Sequence, residues 1–566
     1  MRYIYQNKQT SLKQAFLFLF IIGFCSSVLA QDQYLNISSL SALEQKTIDS
    51  LQYNKKHPDA SSVVAEVNSF TEKLMLIGYI ESKTEKNLKI NDSTFSFQYS
   101  LGRRTSTLYI YVSLDSKFKD LLSKGSKLDT LKIPLSEVEA FLQNSLAQLE
   151  KKGFALSKIK LVNFENKGSK LMAELSIQSE KRRNLDDIII NGYKKFPESH
   201  RRQLIRIYKK KVFNQDNLKK VYSDIEKFRF VKQFKYPEIL FSTDSTKVYC
   251  YLEKSKSNTF DGFIGFANDN SSDVAINGYL DLTLNNLLNT GESFTLNWKS
   301  DGNDQKTFNA SIELPYVFNS SLGLKAQLNI FKQDSTFQNT KTALDIGYLI
   351  NYNTRLYLGY QSSESSDIQN QNTTSISDFT NSYITSQFEF VDFKSDEFLF
   401  PEKTKFDFRA GVGSRRSKFA KNDQIFLNIN LKHTFFLNSK NNIQIKSQNY
   451  YLNSDNYIIN ELYRFGGINS IRGFNENSLQ ANLFTSILSE YRYIIAQNLY
   501  VHSIIDYGYY NDQTTDSKGG LVGLGVGFGL ATKNGLFNIV YANGSNKEQE
   551  IKGSNSIVHI SFKTQF

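Results

Sequence analysis

Few residues in this 566-residue chain could do chemistry, and the familiar catalytic sets are missing from the sequence. There is no GxSxG, no Walker-type lysine loop and no HExxH. His57, His200, His433, His502 and His559 are scattered without zinc-like spacing. After residue 30 the only cysteine is Cys250, so neither an internal disulfide nor a cysteine metal site is expected. What remains is ionic. Arg472 lies in Gly466-Gly467-Ile468-Asn469-Ser470-Ile471-Arg472-Gly473-Phe474, Glu490 in Ser489-Glu490-Tyr491-Arg492, and Asp506 in Ile504-Ile505-Asp506-Tyr507-Gly508. A planar guanidinium fork suits carboxylate pairing. The expected chemistry is therefore non-covalent: no catalytic residues, no cofactor and no metal. Three unrelated charges are the competing reading.

Gly523, Gly525, Gly527 and Gly529 alternate with Val522, Leu524, Val526, Phe528 and Leu530. This spacing differs from the GxGxxG dinucleotide loop, which opens a helix. On a strand it puts four glycines on one face, where another backbone can approach closely. A strand with a merely narrow inner side is the simpler alternative.

The elements carrying these residues read as strands. From Thr259 onward, runs such as Leu322-Leu324-Ala326-Leu328-Ile330, Leu344-Ile346-Tyr348-Ile350 and Ile425-Leu427-Ile429-Leu431 alternate with polar residues, so each run shares one face. Such runs, near ten residues long and edged by Tyr and Phe, are the signature of a transmembrane β-barrel. The 309 residues from 258 to 566 suffice for about sixteen antiparallel strands with their connections. Polar stretches such as Gln361–Asp378 are expected as outward loops. A soluble β-sandwich array is the alternative. No run after residue 30 reaches the ~18 apolar residues of a membrane helix. At 40% hydrophobic and 14% aromatic residues, the composition is also far from that of a disordered chain.

The front half differs. Residues 1–30 read as a secretory signal peptide: Arg2, Lys8 and Lys13 precede the apolar run Ala15–Phe24, and Val28-Leu29-Ala30 supplies the cleavage site. Residues 31–257 carry 40 Lys/Arg against 27 Asp/Glu, whereas 258–566 carry 25 against 29. The basic half suits lipid headgroups or acidic client segments better than nucleic acid in an exported chain, although a solvated helical face explains it equally. The clearest unit spans 185–254. A strand at Ile188–Ile190 is followed by a helix over Glu198–Tyr208. A second helix, capped by Asn214, carries Leu218, Val221, Tyr222, Ile225 and Phe228, and strands follow at Phe230–Phe241 and Lys247–Leu252. Similar orders are expected over 31–113, with strands at Phe95–Tyr99 and Thr107–Val112, and over 114–182. Two modules with an irregular extension are the alternative.

The β-α-α-β-β order resembles the POTRA domain, the periplasmic module of the Omp85 superfamily. Ile471-Arg472-Gly473-Phe474 resembles that superfamily's (V/I)RG(F/Y) signature, and Ile504–Gly508 its F-x-D-x-G strand motif, with Ile504 replacing the aromatic residue. On these residues the chain is identified as a member of that superfamily, most similar to the TamA/BamA assembly-factor branch. The fold class implied is α+β periplasmic POTRA repeats followed by an all-β transmembrane barrel: POTRA-like modules at 31–113, 114–182 and 185–254, and a barrel over 258–566.

The resemblance implies that the Arg472 motif tips a long loop folded into the barrel lumen, clamped by Glu490 and Asp506, with the glycine face beneath it. Val558, Ile560, Phe562, Thr564 and Phe566 alternate to the carboxyl terminus, and Phe562 and Phe566 resemble a C-terminal β-signal. The implied function is non-enzymatic: an outer-membrane protein assembly, insertion or translocation factor. Its modules would receive client strands by β-augmentation, or serve as a spacer. The seam, near Phe260–Phe266 and Val558–Phe566 and weakened by Gly262 and Gly265, would template insertion. A two-partner-secretion transporter is the alternative and a passive porin a weaker one. Expected partners are unfolded outer-membrane or secreted client proteins, outer-membrane lipid, and periplasmic or lipoprotein accessory subunits, with no nucleic acid.

Overall fold

The computed structural model describes residues 32–565 apart from 114–117, 119–128, 168–169, 269–273, 301–304, 395–396, 398, 533–534, 548–550 and 553–555. The expected signal peptide and Phe566 lie outside the described residues. The chain divides into two units, residues 1–183 and 184–566, each described by itself.

The first unit holds two mixed sheets. In the first, Lys56–His57, Gln33–Ser39, Thr94–Ser100 and Lys83–Asn91 lie side by side, with Gln33–Ser39 parallel to Thr94–Ser100. Helices α1 (Ala42–Ser50) and α2 (Ala60–Leu76) bury Ile48, Val63, Phe70 and Leu74 against it. Asp59 caps α2, accepting the Ser62 backbone N–H at 2.7 Å. The second sheet runs Thr130–Pro134, Thr107–Tyr111, Lys170–Gln178, Lys158–Lys167, with α3 (Val138–Lys151) packed on it through Leu149. The strand expected at Thr107–Val112 in the first module therefore belongs to the second. It pairs with Thr130–Pro134 and Lys170–Gln178, and Leu108 and Ile110 enter the second core. Alternation located the strand, but its partners are set by tertiary packing that periodicity does not encode.

The second unit opens with a three-stranded sheet, Val231–Phe241, Thr246–Lys254 and Asp187–Asn191, covered by α4 (Glu198–Tyr208) and α5 (Gln215–Glu226). The Asn214 side chain accepts the Asn217 backbone N–H at 2.8 Å, and Leu218, Val221 and Ile225 form the buried stripe of α5.

The remainder is a closed barrel of sixteen antiparallel strands, from Thr259–Asn268 to Ser556–Gln565. Period-2 alternation places apolar side chains outside: Leu344, Ile346, Leu358 and Ile384 are each more than 60% exposed. Their neighbours Asp345, Gln387 and Arg409 point inward and are buried. An apolar exterior around a polar interior matches a lipid surround. The linker expected over Gln361–Asp378 is only partly loop. Strand Thr354–Asp367 continues through Gln361–Asp367, paired with Phe337–Leu349 and Phe379–Phe393. Its residues are polar there because the strand outruns the apolar band.

The three-stranded module meets one end of the barrel. Gln203 Nε2 donates to the Asn319 and Ser320 carbonyls at 3.1 and 2.7 Å, and Asn286 Nδ2 to the Tyr193 hydroxyl at 2.9 Å. His200 of α4 is fully buried, edge-on to Phe228, Phe230 and Tyr316 at 4.9–5.4 Å. Burial, then the Arg355 charge, lowers its pKa to about 3, so the imidazole is neutral.

Candidate functional site: a hairpin clamped inside the barrel

Between strands Asn441–Asn453 and Leu483–Ala496 the chain turns into the barrel. Tyr463–Phe465 and Leu479–Ala481 pair there as a short hairpin. Its tip begins at Gly466 and Gly467, whose φ values of 106° and 95° are available to glycine at little cost. Aromatic stacking holds the hairpin to the wall: Phe465 lies 3.9 Å from Phe484 and Tyr463 4.6 Å from Tyr450, centroid to centroid. Ile471 and Phe474 are buried in the same cluster.

Arg472 is 5% exposed and Asp506 fully buried. The Arg472 backbone N–H and Nε donate to Asp506 Oδ2 at 3.0 and 2.8 Å, and Nη2 donates to Oδ1 at 2.5 Å. The remaining Nη1 pairs with Glu490. Glu490 in turn holds Arg492 through Nε at 2.8 Å and Nη2 at 2.5 Å. Both acids come from adjacent strands, Leu483–Ala496 and Leu499–Asp512, on inward positions set by the pleat. Ile504, two residues before Asp506, is also inward and packs with Ile468 of the tip, Val540 and Ala542. An aliphatic side chain fills that position.

The glycine face carries the hairpin only at its first member. A Cβ on Gly523 would meet the Arg472 carbonyl oxygen, whereas one on Gly525 would meet the Tyr541 carbonyl and Ala542. At Gly527 and Gly529 the obstacles are the His502 and Tyr500 side chains of the neighbouring strand. Those two glycines make room for cross-strand side chains, not for the loop. The rest of the hairpin's bed is Gly508, beneath Ile471, and Gly544, where a Cβ would lie 2.5 Å from the Gly473 carbonyl and 2.7 Å from the Phe474 ring.

A second anchor escaped the sequence reading. Glu461, at the root of the hairpin, pairs with Arg415 of strand Glu402–Ser417; both side chains are at most 2% exposed. Gln424 Nε2 donates to the other Glu461 oxygen at 2.9 Å. Asn460 Nδ2 reaches Ser365 Oγ and the Ser377 carbonyl at 2.7 and 2.9 Å. Glu476 of the tip pairs with Lys299 at 3.0 Å. No spacing signal links residues this far apart; only an isolated acid just upstream of the glycine pair pointed there.

The hairpin borders two polar chambers, of about 800 Å³ on the module side and about 670 Å³ on the other. The barrel closes between its first and last strands. There, among the described residues, three pairs join the strands: Thr259 with Gln565, Phe260 with Thr564 and Asp261 with Lys563. Other neighbouring strands share between eight pairs, as for Gly535–Ser545 with Ser556–Gln565, and fifteen, as for Phe379–Phe393 with Glu402–Ser417. Among the described residues, Gly262–Asn268 and Ser556–Phe562 thus present edges with no strand partner across the seam. Asp261 Oδ1 accepts the Phe562 backbone N–H at 3.1 Å and the Tyr279 hydroxyl at 2.6 Å. Phe562 faces outward at 38% exposed. Among the described residues no three potential ligands gather as a metal site.

Comparison with known proteins places this geometry. The Omp85 superfamily domain matches residues 286–564. No curated protein matches by sequence. Among solved structures, CdiB from Acinetobacter baumannii aligns at TM-score 0.50 and 14% identity, covering 81% of this chain and 89% of that one. CdiB from Escherichia coli aligns at 0.50 and 13%, covering 88% and 98%. BamA from Haemophilus ducreyi lacking POTRA domains 1–3 aligns at 0.47 and 15%, covering 81% and 99%.

Proposed function

The chain belongs to the Omp85 superfamily, as a bacterial outer-membrane barrel with its N-terminal domains in the periplasm, and on that premise we propose that it assembles or inserts outer-membrane client proteins. The three mixed sheets are read as POTRA-type modules whose edges receive client strands through backbone hydrogen bonds. The barrel seam then templates the client's first strands, so that their backbone groups enter the bilayer already paired. Client folding supplies the driving force, and the chain acts without covalent chemistry.

The observation that carries this reading is the three-pair seam with its two unpartnered edges. The clamped hairpin complements it: Arg472 ties the hairpin to the strands carrying Asp506 and Glu490, three and four strands from the last one, so that stretch of wall is braced while the seam is joined by three pairs. Secretion of a cognate substrate through the pore is the second reading, favoured by polar chambers on both sides of the hairpin.

A disulfide across the seam separates the two. Phe260 and Thr564 are direct partners, a geometry a disulfide spans, and Cys250 is buried. With Phe260→Cys and Thr564→Cys in liposomes, oxidation is expected to stop the assisted folding of an added barrel client, and reduction to restore it. Client folding that proceeds unchanged under oxidation contradicts the insertion reading.

A further inference from the structure

The chamber on the module side of the hairpin is walled by seven basic and five acidic side chains. Four of the acids are spent on cations: Glu313 on Arg355, Glu389 on Lys325, Glu402 on Lys432 and Glu490 on Arg472. The fifth, Asp407, accepts the Gln387 amide at 2.5 Å. Among the described residues, Arg229, Lys405 and Lys446 have no carboxylate within ion-pairing distance. Arg229 follows α5 and lies 4.0 Å above the Phe393 ring, with its surface exposed. Lys405 projects inward from strand Glu402–Ser417. Lys446 donates to the Asn469 carbonyl of the hairpin tip. The three cations therefore stand on the third module, on the wall and under the tip.

From this arrangement we propose that the chamber is a binding site for carboxylate-rich, extended polypeptide segments entering from the periplasmic end. A volume of about 800 Å³ lies within the roughly 300–1,000 Å³ of ligand pockets. The surplus positive charge is gathered in a concave chamber enclosed by protein, a geometry that focuses its field. The three groups can turn toward an incoming carboxylate without breaking an ion pair. Pairing of the other cations leaves the site weakly positive, so that a segment is held and then released. This inference rests on the client-handling reading above and adds a substrate preference to it.

The test is titration of fluorescent hexaglutamate against the full chain in neutral detergent micelles, read by anisotropy. Saturable binding that weakens with salt is expected. Arg229→Gln/Lys405→Gln/Lys446→Gln should lose about tenfold in affinity, while Lys219→Gln/Lys220→Gln, on the exposed face of α5, should keep it. Arg229→Gln alone, outside the barrel wall, should show a smaller loss and guards against misfolding of the triple variant. No binding, hexalysine binding as tightly, or loss in the α5 variant in place of the chamber variant would each overturn the proposal. The titration needs no insertion step, so its failure leaves the seam experiment standing, and the reverse.

Discussion

Arg472 contacts Asp506 by three hydrogen bonds, one from its backbone N–H at 3.0 Å and two from its guanidinium at 2.8 and 2.5 Å, with both residues buried. The backbone bond matters as much as the side-chain pair. It fixes the position of the tip as well as the charge, so the carboxylate holds the hairpin itself and not only its arginine.

Arg472→Ala leaves Asp506 as an uncompensated buried charge. Loss of one partner of a buried pair costs about 3–5 kcal/mol. The expected outcome is a lower denaturation midpoint and proteolysis of the released hairpin at Arg464. Unchanged protease protection contradicts the clamp.

The bed of the hairpin is tight at defined points. Gly523→Ala would put a Cβ against the Arg472 carbonyl and Gly544→Ala against the Gly473 carbonyl, whereas at Gly519 the nearest atom would be the flexible Lys547 side chain at 3.7 Å. The first two substitutions are expected to loosen the hairpin and Gly519→Ala to leave it held. Limited trypsin digestion of the three variants reads the difference.

The root anchor is independent of the tip clamp. Glu461→Ala leaves the Arg415 guanidinium buried with, among the described residues, the Asn422 side chain as its remaining side-chain partner, at 2.7 Å. The cost is again about 3–5 kcal/mol. Combined with Arg472→Ala, the losses are expected to add, because the two sites share no partner. Denaturation midpoints of the single and double variants decide it.

His200 gives the module–barrel contact a pH dependence. Its native pKa of about 3 lies below the ordinary 6.5, so the unfolded state binds the proton first as pH falls. The stability it contributes is complete above pH ~6.5 and declines toward pH ~3, by at most about 1.4 kcal/mol per pH unit. Burial is the larger cause of the shift and the Arg355 charge the smaller. His200→Phe should flatten the acid limb in a thermal unfolding series. A limb unchanged in slope assigns the dependence elsewhere.

Asp261 is expected to set how firmly the seam closes, since its carboxylate replaces a strand bond to Phe562. Asp261→Ala should slow disulfide formation between Phe260→Cys and Thr564→Cys, measured as oxidation rate on non-reducing gels.

Much of this fold was legible because a barrel repeats one simple rule. Period-2 alternation marked the inner and outer faces, and the same rule put Glu490 and Asp506 on one side with Arg472 within reach. The helix stripes of the third module were equally direct, down to the Asn214 cap. Partners remote in sequence were not. Arg415 and Glu461 are ordinary surface residues by type, and only the closure of the barrel brings them together. Thr107–Tyr111 read correctly as a strand but joined the other sheet, and Gly527 and Gly529 make room for His502 and Tyr500 instead of the hairpin. In each case the missing information was which neighbour lies across a strand, a tertiary fact.

The most direct measurement is site-specific cross-linking of a stalled client barrel to single cysteines placed along the seam. The account predicts cross-links between the client's strand and the unpartnered stretches Gly262–Asn268 and Ser556–Phe562, and none to the closed wall at Ile384. Cross-links confined to chamber positions such as Lys405 and Lys446, with the seam edges silent, would contradict it.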